Sequence, residues 1–142
     1  MQAYLVLFAV DLWVSLHGIL PSLRRTREIA AIARDVTTTD AGPLEALTLL
    51  NIAAWESGFD RGAVGKSGER GAFQVHPPAT SYGAAEALRR LRSQGIMGYM
   101  GCSRETERCR EMAERRTLPA KVFFWSHEPP SPGFGELATL EP

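Results

Sequence analysis

The sequence predicts a mainly α-helical protein, and three observations predict it. Residues 44–55, Leu-Glu-Ala-Leu-Thr-Leu-Leu-Asn-Ile-Ala-Ala-Trp, are apolar on nearly every face, as a helix buried inside a core is. Ile29, Ile32, Ala33 and Val36 recur at helical spacing, with Arg24, Arg25, Arg27 and Arg34 on the outside. Glycines at 58, 62, 65, 68 and 71 then punctuate a stretch with no helical period. That stretch should be an irregular or β-hairpin-like segment, with short strands at most from Ala63 and Phe73.

Residues 1–20 lack the basic start and the small-x-small site of a cleavable signal peptide, and Asp11 interrupts a membrane span. Asp11, Ser15 and Gly18 are spaced i, i+4, i+7, so a helix with a narrow polar face and a wide apolar one is expected. That helix could pack on the core or on a partner, or serve as an uncleaved membrane anchor. Pro21 separates it from a helix over 22–36. Asp40 or Gly42 can cap the central helix, and Pro43 suits its first turn. Gly58 suits the left-handed position that stops it.

Pro77-Pro78 closes the glycine-rich segment. Ala79–Gln94 follows as a helix with Tyr82, Ala85, Leu88 and Leu91 repeating every three residues, and Gly95 should end it. Ser103 can cap a polar helix running to about Arg116, and Pro119 should start another apolar piece. The organisation is therefore an apolar amino-terminal helix over 1–21, a main domain over 22–127 and a Pro-rich tail over 128–142, expected to be extended or disordered.

The totals narrow the function. At 142 residues the chain can bury one core, and 44% hydrophobic with 23% charged residues is ordinary for a globular protein. Acidic and basic residues balance at 16 each, which gives no support for a nucleic-acid partner. His17, His76 and His127 lie far apart without ligand spacing, so no metal and no cofactor is expected. Cys102 and Cys109 permit one disulfide. On one continuous helix they would stand about 10 Å apart, too far to bond, so pairing requires the turn at Ser103 to fold back.

Chemistry points to Glu56. It sits at the end of the most apolar helix, where burial and the negative end of the helix dipole both disfavour its charged form. A general acid working near neutral pH needs that. Asp60 and Glu69, which follow Glu56, are the candidates for a second carboxylate, and a surface turn suits either. Trp55, Phe59 and Phe73 read as core residues, and His76 as a loop residue.

Three motifs stand in order: Trp55-Glu56-Ser57-Gly58-Phe59, Gly68-Glu69-Arg70-Gly71-Ala72-Phe73-Gln74-Val75 and Gly98-Tyr99-Met100-Gly101. This order resembles the lytic transglycosylase and goose-type lysozyme-like family, over about residues 44–102. Gly-Ala-Phe-Gln-Val and Tyr-x-Gly-Cys look most like small phage or prophage wall-degrading proteins. The resemblance implies a lysozyme-like domain over 22–127 with a glycan cleft. It also implies cleavage of the β-1,4 bond between N-acetylmuramic acid and N-acetylglucosamine in peptidoglycan.

By that resemblance Glu56 is the catalytic acid/base. Ser57, Gln74 and Tyr99 match substrate-side residues, and Glu69 could reach the cleft. Met100 departs from the pattern, which has Asn after the tyrosine. In the transglycosylase route the sugar's own 6-hydroxyl attacks, so no second carboxylate is needed; a muramidase would use water. The site of action would be the cell envelope or periplasm, in a virion-associated or lysis setting. Glycan strands would be the substrate, and a larger phage assembly or a membrane would be the partner of residues 1–21. A non-catalytic lysozyme-like module for glycan binding or virion structure is the rival reading. Hydrolysis of another N-acetylated β-1,4 glycan such as chitin is a further one.

Overall fold

The computed structural model describes residues 2–126, with side chains through Thr117. Its five helices are α1 (Gln2–His17), α2 (Leu23–Thr37), α3 (Pro43–Ser57), α4 (Ala84–Tyr99) and α5 (Glu107–Ser126). The mainly α expectation holds. The Pro-rich tail expected over 128–142 lies outside the described residues.

Helix α3 is the hub, packed against all four others. Its apolar surround dictates this: Ala46, Leu47, Leu49, Leu50, Ile52, Ala53 and Ala54 are all buried. Pro43 opens its first turn, and Glu45 Oε1 accepts from the Gly42 N–H at 3.0 Å, satisfying one orphan donor of the helix start. Gly58 ends it in the left-handed conformation, φ 62°, as its lack of a Cβ allows.

Helix α1 buries Tyr4, Leu5, Phe8, Ala9 and Leu12 against α2 and α3, so its apolar face belongs to the same core. Asp11 and Ser15 stay on the exposed side, as their spacing predicts. No described helix is long and apolar enough to cross a membrane. Helix α2 buries the expected Ile29, Ile32, Ala33 and Val36, and Ser22 caps it by accepting from the Arg25 N–H at 3.1 Å.

The glycine-rich segment is held by two isolated antiparallel bridges, Val64 with Arg70 and Arg70 with Val75, rather than by strands of any length. Gly71 has φ 81°, and a Cβ there would meet the Tyr82 carbonyl oxygen at 2.9 Å, so only glycine fits.

Helix α4 begins at Ala84, five residues later than the sequence suggests. Its start is fixed from α2: the Asp35 carboxylate accepts from the Ala84 N–H at 2.7 Å. Gly83 leaves room for that carboxylate. The buried stripe is Ala84, Ala87 and Leu88; of the expected repeat Leu88 is buried, Tyr82 and Leu91 pack against the core, and Ala85 alone is exposed. Gly95 breaks the helix as expected, φ 69° and ψ 173°, but a further turn follows through Tyr99.

Helix α5 starts at Glu107, not at Ser103. Thr106 provides the cap, its Oγ1 accepting from the Cys109 N–H at 3.1 Å. The later start leaves residues 102–106 to turn back, and Cys102 and Cys109 form a disulfide with Cα atoms 6.3 Å apart. Nor does Pro119 begin a separate piece, because α5 runs through it to Ser126. A proline has no N–H, so the Arg115 carbonyl loses its helical donor. Asn51, buried in the middle of apolar α3, supplies a substitute. Its side-chain amide donates to the Arg115 carbonyl at 3.2 Å and also to the Arg116 carbonyl.

Candidate functional site

The three sequence motifs interlock through two side-chain hydrogen bonds. Ser57 Oγ donates to the Ala72 carbonyl at 2.6 Å, fastening the end of α3 to the Gly-Ala-Phe-Gln turn. Tyr99 Oη donates to the Phe73 carbonyl at 2.6 Å, fastening the end of α4 to the next residue of that turn. Phe59 and Phe73 fill the space beneath and are fully buried, as expected. Arg25 adds a tie from α2, donating to the Phe59 carbonyl at 2.6 Å while its guanidinium lies over Trp13. It is therefore not the freely solvated residue its arginine-rich neighbourhood suggests.

Glu56 lies on the last turn of α3, partly exposed, with Arg116 of α5 as its partner. Arg116 Nε donates to Glu56 Oε1 at 2.8 Å, and an Nη donates to the Met112 carbonyl at 3.1 Å. The expectation for Glu56 contained burial and a helix dipole but no counter-charge, and Arg116 is the residue it missed. Arg116 stands three residues after the buried Ala113, hence on the inward stripe of α5, but the sequence carries no sign of which side of this polar helix is inward.

Tyr99 is buried beside this carboxylate. Burial raises the pKa of its phenol first, the negative charge of Glu56 raises it further, and Arg90 opposes them. Tyr99 is therefore a neutral donor at any physiological pH.

Gln74 is buried, with φ 48°, and its amide donates to the carbonyls of Gly71 at 2.8 Å and Ala63 at 3.2 Å. Its side-chain nitrogen thus closes its own turn. Gln74 and Tyr99 both line a cavity of about 450 Å³. His76, Arg89, Arg90 and Gln94 line it too, and Glu56 is not among its lining residues. Arg90 holds one wall by donating to the carbonyls of His76 and Pro78.

The two further carboxylates are committed to their own loops. Asp60 Oδ1 accepts from the Gly62 N–H at 2.8 Å. Glu69 Oε2 accepts from the Ser67 N–H at 3.1 Å and lies 3.7 Å from His76 Nδ1.

Trp55 is not a core residue: it is 38% exposed. A helix that is apolar all round gives periodicity no means of telling which side of its last turn leaves the core. Among the described residues no group of three or more His, Cys, Asp or Glu side chains could hold a metal ion. Comparison with protein families, with curated proteins and with solved structures found no match, so the resemblance rests on the three motifs themselves.

Proposed function

We propose that this chain cleaves peptidoglycan as a lytic transglycosylase, with Glu56 as the single acid/base. The observation that carries the reading is the convergence of the three motifs. Ser57, the Gly-Ala-Phe-Gln turn and Tyr99 are joined by hydrogen bonds around the end of α3, where Glu56 stands. In this reaction protonated Glu56 gives its proton to the glycosidic oxygen as the C1–O bond breaks. The muramic 6-hydroxyl then attacks C1, and the Glu56 carboxylate takes the hydroxyl proton. The product is a 1,6-anhydro sugar and no water is consumed. The loop-bound state of Asp60 and Glu69 favours this route over a muramidase, which needs a second carboxylate to activate water or meet the charge at C1.

One observation favours the second reading, a lysozyme-like module that binds glycan without cutting it. Glu56 is engaged by Arg116, and the cavity lined by Gln74 and Tyr99 leaves it out. Catalysis requires a bound glycan to reach Glu56 and take the place of that ion pair.

Mass spectrometry of purified peptidoglycan after digestion separates these outcomes. Wild type should release 1,6-anhydromuramic products, and Glu56→Gln should reduce their formation at least about 100-fold. Products one water heavier would mean hydrolysis. No products, with glycan retained in a pull-down, would establish the binding module.

A further inference from the structure

The corner between α1 and α2 carries aliphatic side chains that folding leaves largely open to solvent. Ile19, Leu20 and Leu23 are 67%, 76% and 68% exposed, and Leu16, at the end of α1, is exposed as well. They fall within eight consecutive residues. The corner is built from Gly18, whose φ of 74° stops α1, and from Pro21, which precedes the Ser22 cap of α2. Folding leaves these four outside while α1 commits Tyr4, Leu5, Phe8, Ala9 and Leu12 to the core, with Leu7 exposed apart from the corner. Scattered exposed leucines need no explanation, but a contiguous group does.

Charge identifies the occupant. Residues 12–27 contain Arg24, Arg25 and Arg27 and no acidic residue. Arg25 is used internally, on Trp13 and the Phe59 carbonyl. Arg24 and Arg27 are exposed and make no ion pair among the described residues. The acids on either side are Asp11, which is exposed on α1, and Glu28, which is paired with Arg61. The chain as a whole carries no net charge, so the arginines without acids over residues 12–27 are a local excess of positive charge.

We propose that this corner docks on an anionic lipid surface. Leu16, Ile19, Leu20 and Leu23 enter the headgroup–acyl boundary, and Arg24 and Arg27 meet the phosphates. Apolar insertion next to arginines is the combination that binds such surfaces without spanning them. The proposal does not depend on glycan cleavage. It differs from a membrane anchor through α1, whose apolar face is already buried in the core.

Flotation of the full chain with phosphatidylcholine vesicles, with and without phosphatidylglycerol, tests it. Binding should require phosphatidylglycerol and weaken with added salt. Arg24→Gln and Arg27→Gln should each weaken it by roughly fivefold. Ile19→Asp with Leu20→Asp should abolish it, and Leu7→Asp, at an exposed position outside the corner, should not change it. Thermal melts of the variants should match wild type, because every substituted side chain is exposed. Equal binding to neutral vesicles would overturn the electrostatic half. Absence of binding to either vesicle would overturn the whole. So would a wild-type dimer on gel filtration that Ile19→Asp with Leu20→Asp converts to monomer without any lipid binding, since a second copy would then cover the corner.

Discussion

Arg116 is the more buried partner of its ion pair, its side chain 9% exposed against 24% for Glu56, and this asymmetry decides what each substitution does. Removing Arg116 leaves a carboxylate that water can reach. Removing the Glu56 charge strands a guanidinium that water reaches poorly, which is the costlier event. Glu56→Gln should therefore destabilise by about 1–3 kcal/mol. Adding Arg116→Met to it should recover part of the loss. Urea unfolding of the two single variants and the double checks this as a cycle. A double variant less stable than either single one would contradict it. Much of the residue scale was legible: Phe59, Phe73 and the polar stripe of α1 stand where spacing puts them. Arg116 was not legible, because a charge in a run of alternating Glu and Arg looks like any solvated face until the packing partner is known.

At the scale of elements, the strongest periodic signals gave the right helices and the ends were less secure. Helix α3 was legible because nothing but a core accommodates a helix apolar on all sides. The start of α4 was not, since its cap is Asp35, remote in sequence. The cap of α5 lies at Thr106 rather than Ser103, and that shift decides the cysteine question, because it lengthens the loop that carries Cys102 back to Cys109. The disulfide fastens the loop entering α5 to its first turn. By loop closure, removing it should cost about 2–3 kcal/mol. Cys109→Ser should lower the melting temperature accordingly. A reductant should lower wild type to the same value and leave the variant unchanged. If the reductant also shifted the variant, the disulfide would not account for the effect.

For the whole molecule, the surface is organised by arginine–carboxylate ties between elements. Arg92 joins α4 to Glu45 and Asp40, and Arg61 joins the glycine-rich segment to Glu28 on α2. The hydrogen bond from Arg92 is the main cause that brings the Glu45 carboxyl down to about 2, and the one from Arg61 lowers that of Glu28. The unfolded chain takes up a proton at Glu45 near 4.5, whereas the folded chain resists until about 2. The stabilisation is thus fully present above 4.5 and is lost as pH falls from there towards 2. Over a third of the Glu45 side chain meets solvent, so screening leaves only a small part of it. Thermal melts should fall across this interval in wild type and less steeply in Glu45→Gln. An identical slope in both would remove Glu45 from the account.

The amide of Asn51 and the missing N–H of Pro119 lie far apart in sequence yet meet at one carbonyl, that of Arg115. A chain with the proline and an apolar residue at 51 would hold a bare Arg115 carbonyl at the α3–α5 seam. A chain with the asparagine and no proline would hold a buried amide with less to do, its Oδ1 already without a partner among the described residues. The two positions therefore act as one unit across the seam: changing either alone leaves a polar group there with fewer partners.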